Sequence, residues 1–194
     1  MLVKKVSQRI WLIGIIIALL GLWGGWYLII NSPAETMELP NAYIDSNLVS
    51  LYLQPVILAL MYTQILRFRN VRLLVGVRGQ TNQMTKRLLI LVTMYCLVFC
   101  LGLIVPYLFT SFPLFRNGNS ILGTMILVLH VGILLFLAWV LVGAYNLKHP
   151  YLLLLIIFIL EMAYHFYFEK QILIKYSPLY DPLYRAVHHI YGGY

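Results

Sequence analysis

Five long stretches of this chain, 10–30, 48–66, 88–109, 121–145 and 151–168, are apolar, and among them only Glu161 is an acid, Lys or Arg. A bilayer core of about 30 Å is crossed by about 20 residues at the helical rise of 1.5 Å. Each stretch is close to that length. A lone strand in lipid would leave its backbone amides and carbonyls unpaired, so helices must carry all five. The fold class expected is therefore all-α, a polytopic membrane protein of five transmembrane helices forming one membrane domain over 1–194. No internal repeat is visible.

Composition excludes the main alternatives. The chain has 194 residues, 62% of them hydrophobic and 10% charged, against roughly a quarter charged in a soluble domain. A net charge of +8 could suggest nucleic acid, but the basic residues flank the apolar stretches, where anionic headgroups explain them. The partner they imply is the lipid bilayer, with no nucleic acid. Cys96 and Cys100 lie four apart inside a span and read as small hydrophobes. The opening MLVKKVSQR and its apolar run resemble a secretory signal, but no small-residue cleavage site follows, so a retained anchor is expected.

Lys and Arg set the expected orientation. With the N-terminus cytoplasmic, Lys4, Lys5, Arg9, Arg67, Arg69, Arg72, Arg78, Lys86, Arg87 and Lys148 fall inside, and only Arg116, Lys170, Lys175 and Arg185 fall outside. Glu35, Glu38, Asp45, Glu169 and Asp181 also fall outside. The connection 31–47, rich in Pro, Asn, Ser and acid, reads as solvated. The C-terminal segment 169–194 is then external. It is broken by Pro178 and Pro182, and its run of Tyr176, Tyr180, Tyr184, Tyr191 and Tyr194 suggests a segment lying along the outer interface. His188 and His189 in it read as polar surface.

The basic loop 67–87 is the most informative stretch. Leu66, Val71, Leu74 and Val75 recur at helical spacing among Arg67, Arg69, Arg72 and Arg78, which predicts a short interfacial helix, with Gly76 and Gly79 allowing a turn before the next span near Lys86. Two readings fit: charges that anchor a loop, or an element that docks a soluble partner.

The run ILRFRNVR at 65–72, after a helix containing Pro55 and before a long apolar helix, resembles the first cytoplasmic loop of small permeases of the ABC type-2 family. The bacterial members associated with bacteriocin or peptide export and self-immunity are the nearest in pattern. The resemblance covers about residues 1–110 and implies a bacterial plasma-membrane location, with the loop acting as a coupling helix seated on a separate ATP-binding cassette ATPase subunit. Arg67, Phe68, Arg69 and Arg72 match that pattern. Arg78 would add charge, and Phe68 or Leu74 would fill a groove on the ATPase. Such permeases usually have six helices, so the resemblance also implies a last helix that is missing or supplied by other membrane subunits.

No GxxxxGK[ST] or Rossmann glycine pattern occurs, so no nucleotide or other cofactor is expected in this chain and ATP hydrolysis would belong to a partner. The chain is not expected to be an enzyme. Gly14, Gly21 and Gly25 share one face of the first helix, a surface that lets another helix approach closely. Glu161 and His165 lie four apart on the last helix, with His130 on the fourth. An ionisable residue at membrane depth is costly unless partnered, which makes these three a candidate intramembrane polar site; alternatively, Glu161 sits neutral or hydrogen-bonded near the outer boundary. ExxxH lacks the second histidine of a zinc protease motif.

Overall fold

A computed structural model of the chain describes residues 2–31, 39–77, 79–110 and 120–173. Arg78, Arg116 and the tyrosine-rich tail beyond 173 lie outside the described residues, as does the side chain of Leu74. The described residues are almost all helical, joined by short turns and without a strand. The elements are α1 (Leu2–Asn31), α2 (Leu39–Asp45), α3 (Gln54–Arg69), α4 (Arg72–Val77), α5 (Thr81–Phe109), α6 (Ser120–Val142) and α7 (Pro150–Ala163). A wide-turned π-helical segment, Val49–Leu53, leads into α3, and another, Tyr164–Leu173, continues α7.

Five of these helical units are long and apolar enough to cross a membrane: Gln8–Asn31, Val49–Arg69, Thr81–Phe109, Ser120–Tyr145 and Pro150–Leu173. Their outward surfaces carry large exposed apolar side chains, among them Leu12, Leu19, Ile90, Leu101, Phe136 and Ile159. In water such a surface would be a large unpartnered apolar patch. In lipid it is the solvent-facing side.

Proline and basic residues mark the helix ends. Pro150 stands in the first turn of α7, where a missing N–H has no helical partner to lose, whereas Pro55 follows the π-helical segment inside the continuous helical unit Val49–Arg69. Arg67 and Arg69 fall in the last turn of α3, where cations complement the exposed carbonyls. α5 begins at Thr81, several residues before the expected third span, so Lys86 and Arg87 stand on that helix and not in a loop. The positive φ of Gly79 (65°) makes the turn between α4 and α5.

The helices alternate in direction. The Tyr95 hydroxyl donates to the Ile10 carbonyl oxygen at 3.0 Å, and further along Gly25 meets the backbone of Leu103. Numbers rise together, so α1 and α5 are parallel. The Trp139 indole N–H donates to Thr93 Oγ1 at 2.9 Å, whereas Cys100 and Leu103 share a cavity wall with Leu127 and His130; α5 and α6 are antiparallel. The core between them is built from Ile17, Leu58, Met61, Phe99, Ala138 and Leu141, all buried.

The α1–α5 seam depends on absent side chains. A Cβ on Gly21 would lie 2.6 Å from the Phe99 carbonyl oxygen, and one on Gly102 would lie 3.0 Å from the Ala18 carbonyl oxygen. Backbones this close pack by van der Waals contact, the main source of helix association in lipid. Gly14 is looser, with only the Tyr95 ring within reach, at 3.6 Å.

One connection differs from its sequence reading. Part of the segment expected to be solvated, residues 39–45, is the helix α2, with Leu39, Ala42, Tyr43 and Ile44 buried. Leu39, Ala42 and Tyr43 recur at intervals of three and four, which puts them on one helix face, and Ile44 is buried on another side with Ile126 and Leu173. The prolines, acids and asparagines around them mask that pattern.

Candidate functional site

The candidate site lies where the two π-helical segments meet. Such segments are rare and often mark functional positions. In an α-helix, residues four apart drift by about 40° around the axis. The wider turn beyond Tyr164 reverses that drift, so Glu161, His165 and Glu169, at successive spacings of four, keep to one inward face. All three are buried.

Glu169 is the centre. Its Oε1 lies 2.6 Å from His130 Nε2, its Oε2 is in short contact with His165 Nδ1, and Oε2 also accepts from the Ser50 hydroxyl at 3.3 Å. The carboxylate is 1% exposed. His130 is fixed from behind, its Nδ1 lying 2.8 Å from the Ile126 carbonyl oxygen. His165 Nε2 lies 3.0 Å from Asn47 Oδ1. An ionised carboxylate buried this deeply needs partners on each oxygen, and here both have one.

Tyr43 completes the wall. Its ring meets the His130 ring edge-on at 4.8 Å, and its hydroxyl accepts from the Gln54 side-chain amide. Burial pushes the Tyr43 phenol well above its ordinary range, aided by the negative charge of Glu169. It remains a neutral hydroxyl. A cavity of about 40 Å³ lies against Tyr43 and His130, with Cys100, Leu103 and Leu127 as its other walls.

The sequence-derived site is thus rearranged. His130 and His165 are brought together, but through Glu169, which the sequence places in an external tail and the structure places inside the last helical unit. Glu161 is 2% exposed and neither of its carboxyl oxygens has a hydrogen-bond partner among the described residues. The spacing 161, 165, 169 was the available signal. Ser50, Asn47, Gln54 and Tyr43 carry no signal of their own, being ordinary polar residues near a helix start. Among the described residues, no group of three or more His, Cys, Asp and Glu side chains is disposed to hold a metal ion.

The basic loop occupies the opposite end. Arg67 and Arg69 belong to α3 and Arg72 opens α4. Arg69 Nη2 donates to the Lys148 carbonyl oxygen at 3.2 Å, and Arg72 Nη1 donates to the Asn146 carbonyl oxygen at 3.0 Å. The two guanidinium groups therefore join the α3–α5 loop to the α6–α7 connection. Phe68 is partly buried and packs against the core. Among the described side chains of α4, Leu73 and Val77 are apolar and 85% and 90% exposed.

Comparison with known protein families, characterised proteins and solved structures found no match.

Proposed function

We propose that this chain is a transmembrane subunit of a multi-subunit ABC exporter in a bacterial plasma membrane, serving peptide or bacteriocin export or immunity. A separate ATP-binding cassette ATPase couples to it through the basic loop 67–87. The N-terminus and this loop are cytoplasmic, as the excess of Lys and Arg on that side requires. The observation that carries the reading is the pair of arginine bridges from α3 and α4 to Asn146 and Lys148. Through Arg72 a push on α4 reaches Asn146 after α6, and Arg69 ties the end of α3 to Lys148 before α7, which is what a coupling element must do. Leu73 and Val77 offer the apolar contact and Arg67 an exposed charge. The ATPase must bind the loop differently in its two nucleotide states for movement to follow.

A second reading is a non-transporting accessory or immunity protein that stabilises a larger membrane complex. The closure of the Glu169 cluster favours it, because a carboxylate 1% exposed ties helices together and leaves no space for cargo at that point.

Purification of the full chain in mild detergent, with mass identification of co-purifying chains, separates the two. The exporter reading expects an ATPase subunit that is lost when Arg67, Arg69 and Arg72 are changed to Glu. Purification with other membrane chains but no ATPase would leave the accessory reading.

A further inference from the structure

His130 reveals the state of the buried cluster. Its Nδ1 faces the Ile126 carbonyl oxygen, and a carbonyl only accepts, so Nδ1 carries a hydrogen. In a neutral imidazole, Nε2 would then be a bare lone pair, and it faces Glu169 Oε1 at 2.6 Å. Two acceptors at that separation repel. The two atoms make no hydrogen bond as they stand, and a proton on Nε2, giving imidazolium against carboxylate, or on Oε1, giving a carboxylic acid that donates to a neutral imidazole, removes the repulsion. Both forms hold one proton more than a neutral histidine beside a carboxylate.

His165 supplies the route. Its Nε2 faces the acceptor Asn47 Oδ1, on an exposed residue, and its Nδ1 touches Glu169 Oε2, so by the same count this contact too holds one proton more than a neutral histidine beside a carboxylate. An imidazole accepts a proton at one nitrogen and releases another from the second, so this ring connects the edge of the protein with the buried carboxylate. Glu161 is an independent sign of the same chemistry: a carboxyl 2% exposed with neither oxygen hydrogen-bonded among the described residues is costly as an ion, and a bound proton removes that cost.

We propose that Glu169, His130 and His165 form a proton-binding site, filled from the Asn47 edge through His165, with Glu161 as a second, protonated carboxyl on the same helix face. The other groups around it are Ser50 and Gln54 from the start of the second span, Tyr43 from α2, Cys100 from α5, and Tyr164 and Lys170 from the last helical unit. On loss of its proton, the cluster leaves the His130 lone pair against the carboxylate, and that repulsion loosens the last helical unit from α6. The proposal does not depend on which partner docks at the other end.

The test is solid-state NMR of the full chain in lipid bilayers with ¹⁵N-labelled histidine, read between about pH 5 and 8, the range of ordinary histidine titration. His130 is expected to keep its Nδ1 proton throughout, while its Nε2 signal, protonated or accepting from Oε1 at low pH, shifts towards that of a bare lone pair as the pH rises. Glu169→Gln is expected to abolish that shift. His165→Phe is expected to slow hydrogen–deuterium exchange at His130 by an order of magnitude or more. A His130 protonated on Nε2 alone, or a His130 signal that stays still across that range, would overturn the site. That reading needs only the wild-type chain, so it stands even where Glu169→Gln does not fold. Unchanged exchange in His165→Phe would overturn the route.

Discussion

At Glu169 one carboxylate accepts from, or shares protons with, three side chains that come from three separate helical units: Ser50, His130 and His165. Removing it leaves two imidazoles facing a void, and loss of one partner of a buried ion pair costs roughly 3 to 5 kcal/mol. Glu169→Ala is therefore expected to lower the Tm of the detergent-solubilised protein by roughly 10 °C, as scanning fluorimetry would show. A change within error would mean the cluster does not hold the helices. His130, Glu161 and His165 stand out in the sequence because a polar group in a charge-poor run must have a reason to be there. Glu169 did not, because Lys170 and the polar residues after it make the region look like the start of a tail. Its partners were illegible for a different reason: nothing in the spacing of Asn47 and Ser50 says that a residue more than a hundred positions away comes to meet them.

At the scale of the element, the apolar runs give the helices and the glycines give the seam. Gly21 and Gly25 lie against the backbone of α5, whereas Gly132 on α6 has nothing within 4 Å of an added Cβ. Gly21→Leu is expected to cost about 1 to 3 kcal/mol through overpacking, seen as a lowered Tm, while Gly132→Ala is expected to change it little. Equal effects would place the seam elsewhere. The first helix shows its glycine face in sequence, but Gly102, the surface it meets, is one glycine in a long apolar helix and gives no sign of its partner. The bounds of α5 were misread because polar residues at 81–87 look like loop until one sees that a helix can start in the headgroup region and carry Lys86 and Arg87 outward. In α2, the short apolar face was hidden by the acids and prolines around it.

Across the whole molecule, the two ends have different chemistry. One end gathers buried titratable groups from the start of the second span, α2, α6 and the last helical unit. The other joins two loops by exposed arginines and presents Leu73 and Val77. The number of spans and the basic character of the loop could be read from the sequence, since both follow from where charge is absent. The bridge between loops could not, because it runs from guanidinium groups to backbone carbonyls, which no side-chain pattern encodes. The central claim is that α4 is the surface on which an ATPase sits. Replacing Leu73 with a photo-reactive amino acid and irradiating intact membranes tests it most directly. The account predicts an adduct with an ATP-binding cassette ATPase, and none from the same probe at Phe109, at the far end of α5. Adducts at Leu73 only with lipid or with chains lacking an ATPase would contradict it.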